Sequence, residues 1–483
     1  MLTPNHNLAL EACLRDVFRD LTHGAHSASH VQEILMAVMD KSLRVLRDEM
    51  FEWNASFITQ RLPPEVLAIC MQCLPFMDRI RVSHVSRDWR SVALAFPALW
   101  ADIRLSTKYR AAPHLLRLAL SRTGICPIDF TYSQVTPTID NFGINDVLCE
   151  HMHHLRSIDW SGSIDMTCFS RPAPMLEVIR CTTVQGPSVH GDFLGGVVGR
   201  LRSMDVRCLY LADEPCPALS TVQHLECSLP WNVTVGENGL FSRAPALEFL
   251  ALRNVRELNS LPSGPAPPSL KHVSIETTND DFDFDAVLEE WGHDQMNYIS
   301  LRSGITDLNY FPSIIRNLVS LDVSVDLLQP PYSIVFRGHN HAGFTRLVAI
   351  PVEATYRTQL HAFTMLALYI PRVTLWSCTS LQSLGLPLPA WISLLEHSIA
   401  LTCLAHLTIR VSEDDEYCSL CVGDASISLI LPALRDIVVE VPLAAMHEIG
   451  ATPTLTASHI IGQDALCDAM GRERYVNVTV IYV

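Results

Sequence analysis

One apolar frame recurs from residue 155 onward and constrains the fold more than any other feature of the chain. An apolar residue is followed by a second one three positions later and by a third one five positions later, as in Leu247, Leu250 and Leu252. Successive frames begin 21 to 31 residues apart, by subtraction of the leading positions. A fixed frame that recurs at this length is the signature of a solenoid. The leading residues are Leu155, Leu176, Leu201, Val222, Leu247, Leu270, Met296, Leu318, Leu347, Val373, Leu404 and Leu434.

The last two residues of each frame are two positions apart, so on a β-strand they point to the same face. A strand this short buries that face by stacking beside the next repeat. The frame therefore predicts an α/β fold over residues 106–483, a solenoid with a curved parallel sheet, and it resembles leucine-rich repeats. Val184, Leu209 and Val255 stand where that family has asparagine or cysteine, which argues against a regular asparagine ladder. Several separate α/β domains are the alternative.

Residues 1–58 are predicted to form a helical leader. Leu10, Cys13, Leu14, Val17 and Leu21 fall at offsets 0, 3, 4, 7 and 11, which places them on one helix face. The segment THGAHSAS interrupts this pattern, and a second apolar face begins at residue 31. A short helical hairpin is the natural interpretation.

The stretch RLPPEVLAICMQCLPFMDRIRVSHVSRDWRSVALAFPALWADIRL, residues 61–105, predicts helices in quick succession. Pro63 and Pro64 suit the start of a helix, where a missing N–H costs nothing. Asp78 is a possible cap for a second helix, whose apolar face would hold Val82 and Val85. Ser86 is a possible cap for a third. A helical unit this small has little core of its own and usually depends on a partner.

The segments LPPEVLAICMQCLP, VSHVSRDWRSVAL and PALW together resemble an F-box, here assigned to residues 59–105. The resemblance rests on the leading Leu-Pro, a Val-x-Arg-x-Trp centre and a terminal Leu-Trp. The helical leader and the leucine-rich tail resemble F-box proteins expanded in fungi. By this resemblance, the positions that support or form the surface for a Skp-type adaptor are Leu62, Pro63, Leu67, Val85 and Trp89.

The resemblance implies a non-catalytic substrate receptor of a Skp–cullin–F-box ubiquitin ligase. The F-box would bind the adaptor, and through it a cullin, while the repeats would bind a protein substrate. Arg180, Arg202 and Asp205 are predicted to contribute to the substrate surface, because outward residues alternate with buried ones along each strand. A repeat scaffold that takes no part in ubiquitin transfer is the alternative.

Composition excludes some classes of function. The formal net charge is −16, which argues against a nucleic-acid surface and against docking on anionic lipid. The sequence shows no secretory signal and no apolar run long enough to span a bilayer. The 15 cysteines are therefore expected to be reduced, and the protein is expected to be cytoplasmic or nuclear.

Metal and catalytic motifs find little support. His151, His153 and His154 form a short cluster, but no Cys or His follows at zinc spacing. The acidic run Asp280–Asp285 lacks the Gly and Glu of a calcium loop. No cofactor is implied.

Overall fold

The structure is a computed structural model, and the described part of the chain is interrupted by gaps. The described residues are 4–23, 27–55, 62–106, 108–109, 111–134, 142–162, 166–182, 188–212, 214–228, 239–256, 261–277, 284–303, 313–326, 333–351, 369–371, 373–375, 377, 379–395, 397, 399–411, 430–442 and 476–482. The chain divides into two compact units, Met1–Trp100 and Ala101–Val483.

Helices joined by short turns make up the first unit, and its described residues contain no strand. Two long helices form the leader, and shorter helices with a closing 3₁₀ turn follow. The elements are α1 (Pro4–Thr22), α2 (Ala28–Ala55), α3 (Pro64–Gln72), α4 (Phe76–Val82), α5 (Arg87–Ala95) and the turn Pro97–Trp100.

The second unit is built on strands, with short helices and 3₁₀ turns between them. Its helices are α6 (Ala112–Thr123), α7 (Phe142–His151), α8 (Leu240–Arg243), α9 (Phe284–Trp291) and α10 (Leu388–Leu395). Its strands are β1 (Asp102–Ser106), β2 (Ile128–Ser133), β3 (Leu155–Ser161), β4 (Val178–Cys181), β5 (Ser188–Val189), β6 (Ser203–Val206), β7 (Tyr210–Leu211), β8 (His224–Cys227), β9 (Phe249–Val255), β10 (His272–Thr277), β11 (Tyr298–Arg302), β12 (Ser320–Asp326), β13 (Ser333–His339), β14 (Thr345–Pro351), β15 (Ser383–Pro387), β16 (His406–Arg410), β17 (Asp436–Val441) and β18 (Asn477–Tyr482).

Among the described residues, sixteen strands form one continuous sheet, and β5 and β7 form a separate two-stranded one. The order of the large sheet is β1-β2-β3-β4-β6-β8-β9-β10-β11-β14-β13-β12-β15-β16-β17-β18. The alternative of several separate α/β domains is therefore not what the described residues show. The predicted F-box boundary at residue 105 falls inside β1, which pairs with β2 in the second unit.

Two inner rows of buried side chains run across the sheet. One row is formed by the second apolar residue of each frame, and the other by the third. Register places Leu225, Leu250 and Val273 side by side in one row, and Cys227, Leu252 and Ile275 in the next. All six side chains are buried. Backbone hydrogen bonds at the N-terminal ends of the strands hold this register. For example, the N–H groups of Arg202 and Ser203 both donate to the carbonyl of Glu177, at 2.9 and 3.0 Å.

The prediction of a parallel sheet is wrong at β13, which pairs antiparallel with both β12 and β14. The chain leaves β11, forms β12, turns back through β13 and returns in β14 to lie parallel to β11. The sheet is therefore mixed, with parallel strands on either side of this insertion.

Two of the predicted leading residues are also wrong. Leu347 lies within β14 on the opposite face from buried Arg346 and Val348. Val373 is buried in helical backbone, and Leu381 leads the next frame into β15. The frame was misplaced because Arg346 and Gly338 occupy inner positions where other strands carry apolar residues.

Buried Arg346 is accommodated by backbone acceptors. Its Nη1 donates to the carbonyl of Met296 at 3.0 Å, and its Nη2 donates to that of His293 at 3.2 Å. A buried cation is tolerated when its donors are satisfied in this way.

The described cysteines include one disulfide pair and several free thiols. Cys149 of α7 and Cys168 of the turn Met166–Ser170 are joined as a disulfide, with their Cα atoms 4.7 Å apart. The expectation that the cysteines are reduced is wrong for this pair. Cys181 is a free thiol in the inner rows, and burial raises its pKa to about 12. This thiol is therefore protonated and inert at neutral pH.

Within the described residues, we find no helix with both the length and the apolar character needed to cross a membrane.

Gly338 tests the packing of the insertion. A Cβ at this position would lie 2.5 Å from Leu318 Cδ1 and 2.5 Å from the carbonyl oxygen of Ser320. Gly338→Ala is therefore expected to destabilise the protein by about 1–3 kcal/mol through overpacking. The measurement is the urea midpoint, with Ser324→Ala on exposed β12 surface as the control. Equal midpoints for the two variants would contradict the close packing around Gly338.

Candidate functional site

Helix α3 presents one buried and one exposed face. Pro63 occupies the N-cap position and Pro64 the first turn, so the helix begins where the prolines predict. Leu67, Ala68 and Met71 are buried. A second set of apolar side chains, at offsets 0, 3, 4 and 7 on the exposed face, is defined here as the α3 stripe. It consists of Val66, Ile69, Cys70 and Cys73.

Buried hydrogen bonds tie α4 and α5 to the closing turn. The Arg79 guanidinium donates from Nε to the carbonyl of Leu74 and from Nη1 to that of Leu99, both at 2.8 Å. Trp100 donates from Nε1 to the carbonyl of Ala93 at 2.7 Å. These bonds hold the small helical unit in shape, and so the α3 stripe is displayed on a fixed backbone. An arginine in a helix gives no sequence signal of such burial.

Of the two predicted N-caps, Ser86 is confirmed and Asp78 is wrong. Ser86 caps α5, because its Oγ accepts from the N–H of Trp89 at 3.2 Å. Asp78 does not cap α4: Pro75 occupies the N-cap position, and Asp78 lies in the first turn. Asp78 pairs instead with Arg81 at 2.7 Å.

The five predicted adaptor residues lie in different environments. Leu62 and Trp89 are half-buried and Pro63 is exposed. Leu67 is only 6% exposed, so it supports the helical core rather than a surface. Val85 is 65% exposed. Its placement on the apolar face of the second helix is wrong, because α4 ends at Val82.

The face of the large sheet opposite the buried rows carries mostly polar and aromatic side chains, with a few aliphatic ones such as Val178 and Ala251. We define it as the open face. Arg180 and Asp205 are paired neighbours on it, and exposed Arg202 lies just before β6. Asp205 also faces Arg253 Nη1 at 3.7 Å, and Arg253 forms a second ion pair with Glu226. The sequence frame missed Arg253 because it lies beyond the three framed positions.

An aromatic row crosses four adjacent strands of the open face, from β8 to β11. It consists of His224, Phe249, His272 and Tyr298, which we name the aromatic ladder. Successive ring centroids are 6.0, 6.4 and 6.1 Å apart. The histidines are exposed and the other two rings are half-buried. No sequence pattern marks the ladder, because each ring stands alone in its own strand.

The three histidines at the end of α7 stack on one another. His151 Nδ1 and His154 Nε2 are 3.0 Å apart, and the rings of His153 and His154 are 4.0 Å apart. Burial, followed by the charge of neighbouring histidines, lowers the pKa of both His151 and His154. Across the part of the chain that the structure describes, no group of three His, Cys, Asp or Glu side chains is arranged to hold a metal ion.

Some of the cysteine and acidic motifs lie within the described residues and others do not. Cys70 and Cys73 belong to the α3 stripe and are free thiols. Cys418 and Cys421, which have the same C-x-x-C spacing as Cys70 and Cys73, lie outside the described residues, as does most of the acidic run at 280–285.

The helical unit that carries the α3 stripe is of the class that binds partner proteins. Residues 60–97 match the F-box domain family. An F-box implies binding to the adaptor of a Skp–cullin–F-box ubiquitin ligase. The match covers only this short part of the chain, and no curated protein matches the sequence.

The two faces of α3 predict effects of very different size on stability. Leu67→Ala is expected to cost about 2–5 kcal/mol, because it leaves a cavity in the buried face. Ile69→Ala removes an exposed side chain, and its effect is expected to stay within about 0.5 kcal/mol. Thermal unfolding of both variants checks this, and a loss of stability in Ile69→Ala comparable to that in Leu67→Ala would contradict the assignment of faces.

The histidine stack predicts a pH dependence. Because the folded pKa values of His151 and His154 lie below the ordinary 6.5, the unfolded chain binds more protons just below that pH. The contribution of these two groups to stability is therefore complete above pH 6.5 and is lost as the pH falls toward their folded values. Glu150, which raises the pKa of His151, opposes the effect.

The measurement is the urea midpoint between pH 7.5 and 5.5, for the wild type and for His151→Gln/His154→Gln. The double variant is expected to lose less stability on acidification than the wild type. Parallel curves for the two proteins would show that the stack does not titrate in this way.

Proposed function

We propose that the protein is the substrate-recognition subunit of a Skp–cullin–F-box ubiquitin ligase. The observation that carries the proposal is the α3 stripe. Apolar side chains at successive turns of one helix are exposed within the residues that match the F-box domain. Contiguous exposed apolar surface marks an interaction site. The adaptor would cover this stripe together with Leu62, Pro63 and Val85. Half-buried Trp89 would stabilise the helical unit that carries the stripe.

The substrate would bind the open face of the large sheet. This face offers aromatic, acidic and basic side chains in fixed register, a composition suited to a protein partner. The aromatic ladder supplies apolar contact area, and Arg180, Arg202 and Asp205 would add charge complementarity. The strands are consistent with a leucine-rich-repeat-like array interrupted by the β13 insertion. The chain itself would contribute no catalysis and would act in the cytoplasm or nucleus.

Adaptor binding is tested by co-expression with a Skp-type adaptor and capture on a tag. Leu62→Ala/Pro63→Ala and Ile69→Asp are each expected to reduce adaptor recovery at least about tenfold, because a charge or a void in the apolar contact destabilises the complex. Leu118→Asp, at an exposed apolar position of α6 in the other unit, is the control. Unchanged adaptor recovery in both Leu62→Ala/Pro63→Ala and Ile69→Asp would overturn the proposed site.

Recovery of a cullin with the adaptor separates the ligase receptor from a scaffold that takes no part in ubiquitin transfer. A complex with the adaptor but without the cullin favours the scaffold.

The open face is tested by affinity capture with the proteasome inhibited. Two variants are compared: Phe249→Ala/His272→Ala, which interrupts the ladder, and Arg180→Glu/Arg202→Glu/Asp205→Arg, which reverses the charges. Each is expected to lose captured substrates while recovering the adaptor normally. If both variants recover the same proteins as the wild type, the substrate site lies elsewhere on the chain.

A further inference from the structure

Helix α2 carries a row of exposed apolar side chains with the spacing of a coiled coil. Successive members are 3, 4, 3 and 4 residues apart, the spacing of the a and d positions of a heptad repeat. Every member is between 51% and 63% exposed. We name this row the α2 seam. It consists of Met36, Met39, Leu43, Leu46 and Met50.

The α2 seam is not the face on which α2 contacts α1. The half-buried apolar residues of α2 are Val31, Ile34 and Val38, and α1 and α2 contact one another. At 100° per residue, these three positions lie about a third of a turn away from the seam. Helix α2 therefore has one apolar face turned toward α1 and a second one left open.

We infer that the α2 seam is the interface for a second copy of this chain, and that the two α2 helices pack antiparallel. The length of the seam suits such a pairing, because 15 residues of helix rise about 21 Å. With Leu35 beside it, six exposed apolar side chains at roughly 100 Å² each give about 1,200 Å² for the pair of copies, the lower bound of a stable interface.

Charge selects the second copy and its direction. When Met39 lies opposite Leu43 of the other α2 in an antiparallel pair, Glu33 and Arg47 flank the seam at its two ends. Each then faces its opposite charge on the other copy, because e positions pair with e positions in this arrangement. The central e position, Asp40, faces its own copy, and its charge is offset by the ion pair with Arg44 of the same helix. Within the described residues, neither Glu33 nor Arg47 takes part in an ion pair.

A parallel pair lacks this complementarity. There, e positions face g positions, so Glu33 would meet Ala28, and Arg47 would meet Ser42. Opposite charges across an interface set partner choice and register. The antiparallel pair of identical helices is therefore the arrangement that both the apolar row and the charges fit.

The test is the mass of the full-length chain by light scattering and sedimentation over a range of concentrations. The wild type is expected to approach twice 53.8 kDa and to dissociate on dilution. Leu43→Glu/Leu46→Glu is expected to weaken the dimer about 100-fold or more, because it places charges in the apolar interface. Circular dichroism checks that the helices remain, and a non-reducing gel excludes disulfide-linked pairs.

Val45→Glu is the matched control. Val45 lies beside Leu46 and is 52% exposed, but it faces away from the seam, so the variant is expected to dimerise like the wild type. A wild type that stays monomeric at tens of micromolar would overturn the inference. So would a Val45→Glu variant that dissociates as completely as Leu43→Glu/Leu46→Glu.

The direction of packing has its own test. Glu33→Arg and Arg47→Glu are each expected to weaken the dimer several-fold, because each places like charges at both ends of the seam. The combined variant Glu33→Arg/Arg47→Glu restores opposite charges only in the antiparallel pair and is expected to recover wild-type affinity. A combined variant no tighter than the single ones would overturn the antiparallel arrangement.

Discussion

Lateral stacking of short strands is the constraint on which the second unit depends. Strands such as β4, β6 and β8 are four residues long and have only two inner positions each. No such strand buries enough apolar surface to compensate for the entropy of ordering it. Stability arises when the inner rows of neighbouring strands meet, as Ile179 and Met204 do. The open face is then free to carry polar and aromatic residues that the core does not need.

The helical unit is stabilised in a different way. It has few buried side chains, and hydrogen bonds from buried polar groups compensate for this. Arg79 and Trp100 each satisfy backbone carbonyls that would otherwise be orphaned at the ends of short helices. Apolar residues that a larger core would have absorbed, such as Ile69, are left on the surface. In this unit, partner binding and incomplete burial have the same physical origin.

Apolar residues at fixed spacing were a good guide to burial in most strands of the large sheet, but not in α1, where Leu10 and Leu14 are exposed. The frame led by Leu247 placed Leu250 and Leu252 correctly in the core of β9, and Ser86 was correctly identified as a cap. This guide failed where polar groups or glycine occupy inner positions, as Arg346 and Gly338 do, because no apolar pattern marks them. Val85 was misplaced because a break of a few residues after α4 changes the face on which a side chain lies. The disulfide of Cys149 and Cys168 and the aromatic ladder both depend on contacts between distant residues, which spacing along the chain does not reveal.

The β13 insertion also affects how the sheet is completed during synthesis. Most strands acquire their outer neighbour from the next segment of the chain, but β11 ends at Arg302 and its neighbour β14 begins only at Thr345. At about 5–20 residues per second, roughly 2–9 s pass before that neighbour emerges from the ribosome. During this time β11 is an unpaired edge, which is the part of a sheet most prone to pair with another chain. The hydrophobic inner residues Ile299 and Leu301 of this edge are then open to a chaperone, as are Leu321 and Val323 of β12, whose outer neighbour β15 begins only at Ser383.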